Sequence, residues 1–328
     1  MRVGVIEVGH WHSGKYINRA VELGLEIVAV SDRNLDTARQ WANQLGCPAY
    51  TDYAELLAKK APEFVFAHGA HCEMTDIAET LVEHGTPFVM EKPMGVDWRR
   101  LAAVADKADD KGLFAGVDLP RRCFPLTREL LRLKETGELG CMTACSQRLF
   151  AGKPQRYHDW NVPWVLNPTQ AGGGPLFNFG PHVIDTFLLL SGQNVKSVYC
   201  KSSRVLHGLD VEDYSAVLMA TTEGALASFE VGYVCPDSMY DLSVSLCTDR
   251  LFVSTTTFDA AMISFRDGRT LEVGSEGEGA QLDYVAETLH RLEAGDQPVA
   301  TIRDMVRALQ IINAAVASAA TDGSVTLE

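Results

Sequence analysis

The first 118 residues most constrain what this chain can fold into, because short apolar runs alternate there with segments of helical periodicity. RVGVIEV, LEIVAVS, EFVFA, PFVMEKP and LFAGVD read as strands, separated by stretches such as NLDTARQWANQLG and TDIAETLVEHG. The strand runs are nearly continuously apolar, which is what a parallel sheet covered by helices on both faces requires. Asn34 and Asp52 stand where helices should be capped, and Gly24, Gly46 and Gly85 where they should stop. After residue 120 the pattern changes to longer alternating stretches (CMTACSQRLFAG, YSAVLMATTEG, ALASFEVGYVC, YDLSVSLCTD), the pattern of an antiparallel sheet with one solvated face. The expected fold is α/β. Residues 1–120 should form a doubly wound parallel sheet of Rossmann type, and residues 121–328 an α/β domain with a large open, mostly antiparallel sheet. A final helix near 302–320, apolar around much of its circumference, is expected to pack between the two.

Composition narrows the partners. The 328 residues carry 29 Lys and Arg against 43 Asp and Glu, a formal net charge of −14, so nucleic acid and anionic lipid are repelled on average. No apolar run reaches membrane-spanning length, and MRVGVIEVGH enters a strand without a signal-peptide profile, so a cytoplasmic location is expected. The eight cysteines are scattered without a Cys-x-x-Cys pair and read as reduced, mostly buried small hydrophobes.

The turn after the first strand, IEVGHWHSGKY, lies where a G-x-G-x-x-G dinucleotide fingerprint would lie, but has Glu7, Gly9 and His12 at the three glycine positions. The surviving Gly9 is the one that lets backbone approach a pyrophosphate, which places phosphate along Gly9, His10, Trp11, His12 and Ser13. Asp32 ends the second strand 23 residues beyond Gly9, the spacing of a carboxylate that binds a ribose diol. Arg33 beside it could meet a 2′-phosphate, leaving NAD and NADP both open. Lys92, at the C-terminal mouth of the strand PFVMEKP, is placed to exchange a proton with a substrate hydroxyl. Further on, AGGGPLFNFGPHVIDTFLLLSG leads three glycines into a helix carrying Asn178, His182 and Asp185 near one face.

FVMEKPMG, RRCFPLTRELLRLKETGELG and WVLNPTQAGGGPLFNFGPHVIDTFLLLSG, in this order, resemble the signature of the Gfo/Idh/MocA oxidoreductases. That resemblance implies an NAD- or NADP-binding Rossmann domain including Glu91 and Lys92. It also implies oxidation or reduction of a sugar, inositol or related polyol, and a catalytic pair Lys92 and His182, with Asn178 at a position usually held by Asp. The chain departs from the family pattern at Glu7 and His12. It departs again in AHGAHCEM, where Gly69, Ala70, His71 and Met74 replace the usual Thr-Pro-Asn segment and its following His, and at Val165 and Asn167, where Arg and Asp are usual. Arg122, Tyr157, His158, Trp160, Trp164, Asn178 and His182 are candidates for the wall that holds the sugar, since aromatic faces stack on sugar C–H surfaces and amides bind hydroxyls.

His10 and His12 follow the first strand, and His68 and His71 follow EFVFA, its neighbour at the switch point of a doubly wound sheet. With Gly69 between them, these four imidazoles are candidate cofactor contacts, and no metal is expected. Two other readings stay open: a catalytically inactive dinucleotide-binding regulator of the same family, and a metal-dependent hydrolase or lyase built on the four histidines. An open sheet with one uncovered face also favours a homodimer or homotetramer through that face.

Overall fold

The computed structural model describes residues 1–237, 239–274 and 283–327. The chain forms two compact units. One comprises Met1–Asp118, Gln155–Gly172 and Tyr284–Val306, the other Leu119–Pro154, Gly173–Asp283 and Arg307–Glu328. The composition change at residue 120 therefore marks only the first of several crossings.

In the first unit, strands β1 (Arg2–Ile6), β2 (Glu26–Ser31), β3 (Ala49–Tyr50), β4 (Phe64–Ala67), β5 (Phe88–Met90) and β6 (Ala115–Val117) alternate with α1 (Ser13–Glu22), α2 (Leu35–Leu45), α3 (Tyr53–Lys60), α4 (His71–His84) and α5 (Trp98–Asp110). The sheet order is β3-β2-β1-β4-β5-β6, every pair parallel, so β1 and β4 are neighbours at the switch point. The two-residue strand β3 has no apolar run of its own and escaped the sequence pattern. Val3, Val5, Ile6, Phe64, Val65 and Phe66 are all buried, the reason these strands read as unbroken apolar runs. Asn34 caps α2 by accepting from the Asp36 and Thr37 amides, and Asp52 caps α3 through Ala54.

Two later segments join this unit through specific bonds. His71 donates from Nδ1 to the Ala171 carbonyl at 2.8 Å, fixing 155–172 on the start of α4. The Tyr284 hydroxyl donates to the Val117 carbonyl at 2.7 Å, and Arg303 pairs with Asp106 and Asp109 on α5, fixing 284–306 near β6.

The second unit holds β7 (Met142–Ala151), β8 (Val195–Ser203), β9 (Tyr214–Thr221), β10 (Leu226–Gly232), β11 (Tyr240–Thr248), β12 (Leu251–Thr255), β13 (Ala261–Phe265), β14 (Thr270–Val273) and β15 (Val325–Thr326). They form one sheet in the order β14-β13-β12-β11-β7-β10-β9-β8-β15, in which β7 and β10 pair in parallel and the other neighbours are antiparallel. The helix Pro175–Ser191 packs on β7, β9 and β10, covering a face of Cys145, Leu149, Val217, Phe229 and Val231. The alternate side chains Leu218, Leu226, Phe252 and Met262 are about half exposed on the other face. The helix Ile302–Thr321 buries Ile302, Met305, Leu309, Ile312 and Ala315, and runs from the last residues of the first unit into the second.

Among the described residues no helix is long and apolar enough to cross a membrane. The eight cysteines are free thiols: Cys123, Cys145, Cys200 and Cys235 are buried, while Cys141 is exposed and the other three are half-buried, so burial is less general than expected.

Candidate functional site

The first unit carries a cavity of about 610 Å³ at the C-terminal edge of β1 and β2, lined among others by Gly9, His10, Trp11, Asp32, Gly69 and Trp164. Its floor is the turn after β1. Glu7 holds the left-handed conformation (φ 55°) at the first fingerprint position, a backbone state that glycine adopts without strain and other residues rarely do. Gly9 is required for a different reason. A Cβ there would lie 2.7 Å from Asp32 Oδ2, and the Gly9 amide donates to that same oxygen at 2.7 Å. Asp32 also accepts from the Asn34 amide at 2.8 Å through Oδ1, so it braces the turn while keeping lone pairs for a ligand. The buried Ser13 hydroxyl is spent within the turn on the Val8 and His10 carbonyls.

Two carboxyls at this edge are pushed up. Burial first, then the neighbouring Asp32, raises Glu7 to about 7, and burial raises Asp32 against the pull of its two amide donors. Arg33 is paired with Glu73 of α4 at the rim, so a 2′-phosphate would compete with a carboxylate for its guanidinium.

The imidazoles converge as an aromatic cluster. The His10 ring stacks on Trp11 at 3.8 Å and on His68 at 5.3 Å between centroids, and meets His12 edge-on at 5.4 Å. Trp164 lies 5.8 Å from Trp11 and 5.0 Å from His71, while Trp160 and Tyr157 flank Trp11 at 6.3 and 5.7 Å. Burial lowers His68 to about 4, His71 to about 3, and His10 well below its ordinary value, so all three are neutral at physiological pH. His10 and Trp11 line the cavity. His68 is tied to the Ile6 carbonyl and His71 to Ala171, both behind the lining. His71 is the first residue of α4, and His12 stands immediately before α1 without a capping side-chain bond, so neither lies on an extended loop. Nor do the four form a ligand set: among the described residues, the donors that approach within 4.8 Å of one another are His10, His12 and Glu91. Those are engaged already. The His12 amide donates to His10 Nδ1 at 3.2 Å, and His12 Nδ1 donates to Glu91 Oε2 at 2.9 Å.

Glu91 and Lys92 follow β5 in a turn pinned by Thr75 of α4. The Thr75 hydroxyl donates to the Met94 carbonyl at 2.9 Å, and a Cβ on Gly95 (φ 145°) would fall 2.1 Å from Thr75 Oγ1, so only glycine fits. Lys92 Nζ lies 3.6 Å from Glu91 Oε1, their side chains 2% and 1% exposed. Burial alone would raise Glu91, but His12 and Lys92 outweigh it and hold the carboxyl well below its ordinary range; burial lowers Lys92 against the pull of Glu91.

The remaining candidates divide between the units. Tyr157, Trp160 and Trp164 belong to the first, with Tyr157 buried and Trp160 47% exposed; His158 is exposed beside them. In the second, the helix Pro175–Ser191 starts against Glu212. The Leu176 amide donates to Glu212 Oε1 at 3.1 Å, and a Cβ on Gly174 would fall 2.1 Å from the Glu212 carbonyl oxygen, which explains the glycines before the helix. On that helix Asn178 donates to the Tyr233 hydroxyl at 3.2 Å, and His182 is half-buried. Asp185 takes Arg122 in a two-pronged ion pair of 2.6 and 3.1 Å. Arg122, expected as a sugar contact, thus has a buried carboxylate as its partner. Thr37, Gln40 and Trp41 of α2 also line the cavity. Sequence reasoning missed them, although Gln40 and Trp41 follow Thr37 by three and four residues, which places them on one face of α2.

Residues 1–119 match the family model described as "Oxidoreductase family, NAD-binding Rossmann fold", and residues 127–256 match "GFO/IDH/MocA C-terminal domain". Trans-1,2-dihydrobenzene-1,2-diol dehydrogenase of Oryctolagus cuniculus is 27% identical over 62% of this chain and 60% of its own length. D-glucoside 3-dehydrogenase of Escherichia coli (strain K12) is 32% identical over 62% of this chain and 57% of its own. The chain thus spans about 60% of the length of the curated relatives it matches. Among solved structures, levoglucosan dehydrogenase in complex with NADH and levoglucosan aligns at TM-score 0.86 and 18% identity, covering 100% of this chain and 99% of that one. The WlbA dehydrogenase of Bordetella pertussis in complex with NADH and UDP-GlcNAcA aligns at TM-score 0.86 and 18% identity, covering 100% and 98%. Together with the parallel sheet, its switch point and the Glu91-Lys92-Pro93 turn, the two family matches make this chain a member of the Gfo/Idh/MocA oxidoreductase family.

Proposed function

We propose that the protein is an NAD-dependent dehydrogenase acting on a CH–OH group of a sugar, inositol or related polyol, with Lys92 and His182 handling the proton. The observation that carries this reading is a buried lysine at the C-terminal mouth of β5 in an NAD-binding unit, held against a carboxylate that stays ionised. The cradle fits a dinucleotide. Gly9 leaves the turn bare of side chain, and Asp32 keeps free lone pairs at the edge of the cavity. Gly9, His10, Trp11 and Ser13 would hold the pyrophosphate side, with His12 behind them, and Asp32 the ribose. The Arg33–Glu73 pair and the carboxyls of Asp32 and Glu7 all oppose a 2′-phosphate, which favours NAD over NADP.

Bound NAD supplies the hydride acceptor or donor. The rest falls to the chain. Lys92 in its neutral form takes the proton of the substrate hydroxyl during oxidation, or as ammonium returns it during reduction, and His182 shares that proton transfer. Trp160, Trp164 and Tyr157 offer flat apolar faces, Asn178 would supply an amide and His158 an imidazole for hydroxyls, and Arg122 would contribute only through its Asp185 pair. The dihydrodiol and glucoside dehydrogenases among the relatives support the substrate class. The uncovered face around Leu218, Leu226 and Phe252 supports assembly into a homodimer or homotetramer.

Calorimetric titration with NADH and NADPH, followed by a polyol and sugar screen read by nicotinamide absorbance, tests this. Lys92→Met should lower turnover at least about a thousandfold and leave NADH affinity within about threefold. No NADH heat at millimolar cofactor, or unchanged turnover in the variant, would overturn the reading.

A further inference from the structure

His12 stands where the family resemblance places a glycine, and its side chain reaches across to a different turn of the sheet. It donates to Glu91 Oε2 at 2.9 Å while Glu91 Oε1 faces Lys92 Nζ at 3.6 Å, so the carboxylate is shared between an imidazole and a lysine. The ends of this chain differ in access. Lys92 and Glu91 are 2% and 1% exposed, whereas the His12 side chain is 39% exposed, and His12 is the member that solvent reaches.

We propose that His12 is a positioning residue which, by sharing the Glu91 carboxylate, sets how strongly Lys92 holds its proton and hence the pH range in which the site takes a proton from substrate. The proposal rests on the dehydrogenase reading for its consequence, though not for its physical content. A carboxylate oxygen that accepts a hydrogen bond from His12 attracts the neighbouring ammonium less, so Lys92 releases its proton more readily. Removing His12 returns the full carboxylate charge to Lys92. Neutralising Glu91 removes that charge, while burial continues to favour the free amine. The two substitutions therefore act in opposite directions, as a loss of local packing would not.

Other charged or titratable groups face this chain from each neighbouring element. They are His10 after β1, Lys15 on α1, His68 after β4, His71 at the start of α4, and Asp118 after β6. The first histidine and the two after β4 are neutral at physiological pH. Asp118, raised by burial to about 6, is ionised above that value. None of them bonds Glu91 in the described residues, where His12 is its hydrogen-bond partner and Lys92 its ion-pair partner.

The test follows Lys92 directly. In protein labelled with 13C at lysine Cε, the Lys92 resonance is assigned by its loss in Lys92→Met and titrated without cofactor or substrate. His12→Ala should move its midpoint up by about half a pH unit or more. His12→Asn, whose amide can still donate to Glu91, should leave it near wild type, and Glu91→Gln should move it down. Where turnover is measurable, the acid limb of kcat for alcohol oxidation should follow. His12→Ala should lose about threefold or more at neutral pH and recover at alkaline pH. An unmoved Lys92 midpoint in His12→Ala, or the same direction of shift in His12→Ala and Glu91→Gln, would overturn the proposal. Absent turnover with the expected Lys92 shifts would instead count against the dehydrogenase reading alone.

Discussion

Two turns of the parallel sheet each carry a glutamate at the C-terminal edge, and their surroundings treat it in opposite ways. Glu7, after β1, meets burial and the like charge of Asp32 and is pushed up to about 7; Glu91, after β5, meets His12 and Lys92 and is held well below its ordinary range. Glu7 is half-buried and Glu91 fully buried, so depth alone predicts the reverse order and the partners decide. The β1 turn has lost two fingerprint glycines and carries its carboxyl as a liability, while the β5 turn keeps a carboxylate with a cation committed to it. Pairs of titratable groups driven apart in this way mark sites that handle protons.

The largest effect should come from removing the partnered carboxylate. Glu91→Gln leaves Lys92 buried without its counter-charge, and breaking a buried pair from one side costs about 3 to 5 kcal/mol. Lys92, already below its ordinary value, would fall further. A base depressed in the folded state penalises folding while the unfolded chain is protonated, so the loss should be full near neutral pH. It should fade as pH rises through the ordinary lysine range. Urea denaturation at pH 7 and pH 10 checks this; an equal loss at both would assign Glu91 a packing role only.

Glu7→Gln should act in the opposite sense and less strongly. A carboxyl whose folded pKa is raised to about 7 makes the folded state hold its proton longer than the unfolded chain does. Stability then falls as pH climbs from about 4.5 to about 7, with the full penalty above that. The glutamine variant should match wild type at pH 4.5 and gain up to about 3 kcal/mol at pH 8. A gain independent of pH would sink the carboxyl assignment; backbone strain at φ 55°, which glutamine shares, is read separately as a further gain of about 1 kcal/mol in Glu7→Gly over Glu7→Gln.

The contrast between the turns also explains which features local sequence announces. The five apolar strands, the neighbouring of β1 and β4 in a doubly wound sheet and the caps Asn34 and Asp52 are legible because each depends on local apolar runs or short-range donors and acceptors. Gly9 and Asp32 are legible as a pair, since their spacing is a property of the βαβ unit, though the direct bond between them is not. The bonds that define the β5 site join residues far apart in sequence. His12 and Glu91 are 79 positions apart; in the second unit Arg122 and Asp185 are likewise 63 apart, and no periodicity announces either. Composition groups residues 155–172 and 284–306 with the chain beyond residue 120, yet they fold with the first unit through His71–Ala171 and Tyr284–Val117. Each of those contacts is one hydrogen bond across 100 or more residues, and leaves no trace in local pattern.

A third carboxylate on the same edge gives the smallest effect and the sharpest limit on the comparison. Glu73 is paired with Arg33, but Arg33 is 59% exposed, so solvent already screens the pair and its partner contributes little by itself. Arg33→Ala should cost less than about 1 kcal/mol and leave NADH affinity within about threefold. It should change NADPH affinity no more than NADH affinity, because the guanidinium is committed to Glu73 and the neighbouring Asp32 and Glu7 repel a further anion. Calorimetry with the two reduced cofactors decides. A tenfold loss confined to NADPH would mean that Arg33 leaves Glu73 for a 2′-phosphate, and the charge partners seen at this rim would then yield to ligand where those of Glu91 do not.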